Sequence, residues 1–136
     1  MMMQPVTFVE IHSPDMAATR TFMQATFGWD PQPFGTPEYL MTEHGSASGV
    51  DTGLMASQDG DPHATPVIAV PDLEAAMAAV VSNGGAIVYP RFNKGAAGGA
   101  CYVVDPAGVL IGLHEMQPAA AESADDGGSE ERLGFA

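Results

Sequence analysis

Only one cysteine, Cys101, stands in the 136 residues. A lone thiol has no partner in its own chain, which excludes an intramolecular disulfide framework and a cysteine-rich zinc site. Positive charge is scarce as well: four Lys and Arg face seventeen Asp and Glu, a formal net charge of -13. Such a surface repels phosphate backbones and anionic lipid headgroups, so nucleic acid and membranes are excluded as partners. No apolar run is long enough to span a bilayer, and the opening MMMQPVTFVE lacks the basic segment and apolar core of a signal peptide. A soluble, cytoplasmic protein is expected.

What is present suffices for a core. Hydrophobic residues make up 46% of the chain, enough for one compact domain or two small modules that share one. The last stretch, AAAESADDGGSEERLGFA, is small and acidic and buries too little apolar surface to offset the entropy of ordering. It reads as a flexible tail over 118–136.

The chain repeats itself. SPDMAATRTFMQATFG (13–28) resembles VPDLEAAMAAVVSNGG (70–85) at an offset of 57, with Pro14, Asp15 and Met16 falling on Pro71, Asp72 and Leu73, and Gly28 on Gly85. Each copy predicts a helix, opened by an N-cap aspartate and closed near glycine. Met16, Thr19, Phe22, Met23 and Thr26/Phe27 trace the apolar face of the first helix, and Leu73, Met77, Val80 and Val81 that of the second. GVDTGLMA (49–56) recurs as GVLIGLHE (108–115) at an offset of 59. Short β-rich runs lie between these anchors, around Pro33–Phe34 and at EYLMT (38–42), AIVYPRF (86–92) and ACYVV (100–104). Each half therefore reads strand, helix, strand, strand, strand: modules over 4–56 and 65–117, joined by a linker over 57–64.

Two βαβββ copies, with VEIHSPDMAATRTFMQATFGW in the first and YVVDPAGVLIGLHE in the second, resemble the vicinal oxygen chelate superfamily of glyoxalase I, extradiol dioxygenases and bleomycin-resistance proteins. The resemblance implies an α+β fold whose mixed or antiparallel sheets curve around a cavity, with helices outside, and a homodimer as the assembly. Metal-dependent members place one ligand on the first strand and one on the last strand of each module. Here those positions fall on Phe8, Gly53, Thr65 and Gly112, which supply no ligand set for a divalent ion. A two-residue slip brings Glu10, Asp51, Val67 and either Leu110 or His114 into place, again without four ligands. No metal and no other cofactor is expected.

In FVEIH, side chains alternate, so Phe8, Glu10 and His12 share one strand face, the face the superfamily turns toward its cavity. A carboxylate and an imidazole side by side suit proton transfer near neutral pH. Glu10 and His12 are the candidate catalytic residues, and Phe8, Asp51, Thr65, Arg91, Lys94 and His114 the candidate ligand-binding ones. Arg91 and Lys94, half of all the basic residues, belong to RFNKGAAGGA (91–100), a loop suited to steering an anionic or oxygen-rich ligand. Structural roles compete at each site: Glu10 pairing with Arg20, His12 capping the first helix, Asp51 in a turn, His44 and His63 in solvated loops, Cys101 in packing. The leading expectation is a metal-free pocket that binds a small organic molecule. The alternatives are a metal-independent lyase, isomerase or hydrolase using Glu10 and His12, and a metal-dependent glyoxalase- or dioxygenase-type enzyme.

Overall fold

The computed structural model describes residues 3–44, 49–93 and 98–116. The expected acidic tail and Lys94 lie outside them. The fold is α+β, two βαβββ modules in the order β1 (Val6–Ser13), α1 (Met16–Phe27), β2 (Gln32–Thr36), β3 (Tyr39–Thr42), β4 (Asp51–Ala56), β5 (His63–Val70), α2 (Leu73–Ser82), β6 (Ala86–Asn93), β7 (Gly99–Val104) and β8 (Leu110–Glu115). β1 and β5 have bounds that differ by 57, the offset of the repeat. Among the described residues no helix is long and apolar enough to cross a membrane.

The chain divides into two compact units, one of Thr7–Pro66 and one that begins at Val67 and includes the residues before Thr7. In the first, the strand order is β2-β3-β4-β1, with β1 parallel to β4 and the other neighbours antiparallel. The second repeats the plan as β5-β8-β7-β6. The strand pairing in each unit is mixed: the helix carries the chain to the far edge, and two antiparallel steps bring it back as β4 or β8, parallel to the strand that began the module. β5 starts at His63, within the stretch read as a linker. The turn before it is closed by Ser57, whose hydroxyl lies 2.6 Å from the Asp61 carbonyl oxygen and 2.8 Å from Asp59 Oδ1 and shares its one proton between them.

Both helices open as expected, with Asp15 Oδ1 accepting from the Ala18 N–H at 3.0 Å and Asp72 Oδ1 from the Ala75 N–H at 3.1 Å. They close differently from the aligned glycines. Gly28 is left-handed at φ 73°, but in the second copy the left-handed residue is Gly84, at φ 96°. Gly85 serves close packing instead: a Cβ there would stand 2.5 Å from the Val104 carbonyl oxygen.

The buried helix faces are also narrower than the periodicity suggests. On α1 the half-buried residues are Met16, Thr19, Arg20 and Met23, and on α2 Leu73, Ala76, Met77 and Val80 face inward. These sets are related by 57, position for position. Phe22 and Phe27, read as core, are 55% and 59% exposed, and Val81 is exposed too. The α2 set packs on Val70, Cys101, Val103 and Leu113, with Ile68, Ile87 and Ile111 around them. Arg91 braces the same unit, since its guanidinium meets Glu74 on α2 and Glu115 on β8, each at 3.2 Å. Glu115 in turn accepts from the Leu73 N–H at 3.0 Å.

Leu73 is 0% exposed, so Leu73→Ala should lower the unfolding free energy in urea by about 2–5 kcal/mol. Phe22→Ala, at an exposed position, should change it by less than about 1 kcal/mol.

Candidate functional site

Phe8, Glu10 and His12 alternate along β1 and are 2%, 2% and 4% exposed. A carboxylate in such a place needs partners, because its desolvation is otherwise uncompensated. Two lie within the same unit. The Tyr39 hydroxyl donates to Glu10 Oε2 at 2.8 Å, and His12 Nε2 lies 3.4 Å from Glu10 Oε1.

The tyrosine reaches Glu10 through a gap in the sheet's side-chain layer. Tyr39 stands opposite Met55, and β4 lies between β3 and β1. Glu10 pairs with Gly53, and the missing side chain of Gly53 leaves the path that the phenol takes. A Cβ on Gly53 would overlap the Tyr39 hydroxyl and stand 2.7 Å from Cζ. The glycine is thus required by a neighbour's reach, with no unusual backbone angle involved.

Beyond His12 the site continues onto the start of β5. The His63 ring stacks on that of His12 with centroids 4.4 Å apart and planes 20° apart. His63 Nδ1 lies 3.5 Å from the hydroxyl of buried Thr65, and Nε2 lies 4.0 Å from Asp59 Oδ1. The Asp59 carboxyl is held below its usual range by the Asp61 N–H and the Ser57 hydroxyl, with a smaller contribution from His63. Carboxylate, phenol and two imidazoles therefore form one connected group.

His12 and His63 border a cleft of about 500 Å³ that is also lined by Ser13, Pro14, Asp15, Thr19 and Pro62. Its frame is fixed by local bonds: Ser57 N–H to the Ser13 carbonyl at 2.8 Å, Asp15 N–H to Ser13 Oγ at 2.9 Å, and the Ser13 and Thr19 hydroxyls to each other at 2.7 Å. Arg20 and the start of α1, the partners considered for Glu10 and His12, are engaged elsewhere. Arg20 Nη2 donates to the Pro31 carbonyl at 2.9 Å, and the α1 cap is Asp15.

The other sequence candidates have the following surroundings within their own units. Asp51 Oδ1 accepts from the His44 N–H at 3.0 Å and so braces the end of β3. His114 belongs to the second unit, buried opposite Ala69 on β8. Arg91 is engaged with Glu74 and Glu115. Cys101 sits in the α2 core with its thiol pushed up to about 11, by burial first and then by Glu74. The repeat puts Val67 and Ala69 where the first module has Glu10 and His12, so this carboxylate and imidazole are confined to one module. At the matching place the second unit carries an aromatic group: Tyr102 stacks with Phe92 and Tyr89, each at 6.2 Å.

The sequence reading did not bring Tyr39 or His63 together with Glu10 and His12. Their signals were weak but present. His63 and Thr65 alternate with the strand period, and the tyrosine of EYLMT lies in a strand that pairs with the one holding Gly53.

No family model matches the chain. Over 116 residues it is 32% identical to the provisionally named glyoxylase CFP32 of Mycobacterium bovis and equally to that of Mycobacterium tuberculosis. The match takes in 78% of this chain and 43% of those relatives, so the chain spans less than half their length. Among solved structures, methylmalonyl-CoA epimerase from Mycobacterium tuberculosis aligns with a TM-score of 0.64 and 20% identity over 89% of this chain and 96% of that one. A superfamily member from Vibrio splendidus, described as glyoxalase/bleomycin resistance protein/dioxygenase, aligns at 0.58 and 16% over 83% and 98%.

The chain belongs to the glyoxalase/bleomycin resistance/dioxygenase superfamily. A Mn(II)-bound glyoxalase from Novosphingobium aromaticivorans also shares the fold, with a TM-score of 0.57 and 18% identity over 83% of this chain and 40% of that one. At these identities the solved structures speak to the fold alone, which in this superfamily member carries the Glu10, His12, His63 and Tyr39 group.

Two measurements check this geometry. Tyr39→Phe should cost about 1 kcal/mol of stability by removing the bond to Glu10, and Gly53→Ala at least as much by displacing the ring. In the double variant the losses should not add, because both remove the same bond; full additivity would show that Tyr39 does not reach Glu10 over Gly53. The Cys101 thiol should react with a disulfide reagent at pH 8.5 at least roughly tenfold more slowly in the folded than in the urea-unfolded chain.

Proposed function

We propose that this superfamily member binds a small organic molecule without a divalent metal ion, in the cleft bordered by His12 and His63. The observation that carries this reading is the identity and packing of the residues at the four positions where the resemblance puts metal ligands. Phe8 is apolar, and Gly53 has no side chain and has Tyr39 over it. Thr65 turns its hydroxyl toward His63, and a Cβ on Gly112 would meet Val67 Cγ2 at 3.1 Å and Tyr102 Cε1 at 3.4 Å. These residues do not fit a divalent cation. Among the described residues, no three His, Cys, Asp or Glu are grouped to hold one.

A second reading, metal-independent proton transfer on the bound molecule, is favoured by the burial of Glu10 beside His12. His12 lines the cleft and is the group placed to meet a substrate proton. Glu10 behind it fixes the ring and stabilises the imidazolium that forms when the proton arrives. Tyr39 anchors the other carboxylate oxygen, so the pair keeps its spacing through the transfer. Lyase, isomerase and hydrolase reactions that turn on one proton fit this arrangement.

Protein purified without an affinity tag or chelator should contain less than about a tenth of a divalent metal per chain by elemental analysis. A stoichiometric metal would overturn the metal-free reading. If the chain turns over a substrate, Glu10→Gln and His12→Asn should each lower kcat about 10²–10⁴-fold while ligand binding persists. Turnover unchanged in both variants would remove Glu10 and His12 from the chemistry and overturn this second reading.

A further inference from the structure

We infer that the cleft selects a flat ring bearing a cationic nitrogen donor group, of the amidine or protonated heteroaromatic amine class, over a neutral or anionic ring of the same shape. This rests on the proposed small-molecule reading of the same cleft and adds the chemical class of its ligand.

Shape comes first. A cleft of about 500 Å³ accommodates a molecule of one or two rings. Ile11, Pro14, Ala18, Pro62 and Ala64 make its walls, and none of these carries a long flexible side chain. Two pyrrolidine rings and an imidazole present flat surfaces, against which a planar ring loses little and a branched chain fits poorly. The His12 and His63 rings, stacked at 4.4 Å, add a further flat surface at the border of the cleft.

Charge decides between ring classes. The polar groups lining the cleft are Asp15, Ser13, Thr19, His12 and His63, and neither Lys nor Arg is among them. Asp15 uses Oδ1 for the Ala18 N–H, and this capping bond fixes its carboxylate at the cleft. Just outside, Asp59 and Asp61 sit on the turn that leads into Pro62, with Asp59 Oδ1 held by the Asp61 N–H at 3.0 Å. The nearest guanidinium on α1, Arg20, is bonded to the Pro31 carbonyl. The α1 N-terminus contributes a positive end worth about half a charge, which the full charge of Asp15 outweighs. An arriving anion therefore meets carboxylates with no cation to receive it, whereas a cationic N–H group finds acceptors and a favourable field.

The test uses three planar probes of nearly identical shape on the full chain at pH 7.5: benzamidine, benzamide and benzoate. Affinities come from amide chemical-shift titrations, with the cleft reported by Ala18, Thr19, His63 and Ala64. Benzamidine should bind at least roughly tenfold more tightly than benzamide, and benzoate more weakly still. Asp15→Asn retains an N-cap oxygen, so the helix stays capped, and it should remove the preference for benzamidine over benzamide. Benzoate binding at the cleft as tightly as benzamidine would overturn the cationic assignment and leave the small-molecule reading standing. A benzamidine preference that survives Asp15→Asn would also overturn it. Failure of all three probes to shift these amides would overturn both readings together.

Discussion

Burying the Glu10 carboxylate is the constraint around which the first unit is arranged. A charge-bearing group that is 2% exposed persists only with partners placed before any ligand arrives. The sheet delivers those partners from β1 and β3, the latter only because β4 presents Gly53 at the crossing point. His12 then stacks on His63, which ties the buried pair to the partly open start of β5. One glycine thus connects strand register, tyrosine reach and the geometry of the titratable group.

The duplication gave the two modules the same frame and different contents. Strand order, capping aspartates and the four inward helix positions correspond across the repeat. On the strand faces the correspondence ends: Glu10 and His12 in one module answer to Val67 and Ala69 in the other. Backbone hydrogen bonding and helix packing tolerate little change, since each inward position is crowded from several directions. The sheet face turned away from the helix is buried too, but its contents differ: Glu10 and His12 on β1 in one copy, Val67 and Ala69 on β5 with His114 on β8 in the other. With Tyr39 over Gly53, that part of the first module is filled by a phenol.

Much of the architecture was legible in the chain itself. The offset of 57 aligned β1 with β5 and α1 with α2 because caps, glycines and apolar periodicity are local signals, spaced by the geometry of single elements. Helix faces were read less well. Phe22 and Phe27 are apolar and suitably spaced, yet they point outward, because which side of a helix meets the sheet is set by its docking angle. Glycine meaning was likewise partly hidden: Gly84 and Gly85 are adjacent and look interchangeable, but one turns the backbone left-handed and the other lets α2 approach Val104.

For the site, the sequence by itself determined that Glu10 and His12 lie on one strand face, that Phe8, Gly53, Thr65 and Gly112 are neither carboxylates nor imidazoles, and that the chain is acidic. Alternation along a strand and residue chemistry suffice for those statements. Only the tertiary structure decided that Tyr39 crosses Gly53 to Glu10, that His63 stacks on His12, that Arg91 is held by Glu74 and Glu115, and that Asp15 faces a cleft. Each of these joins residues that are distant in the chain, and such contacts depend on strand register and helix docking, which no local pattern encodes.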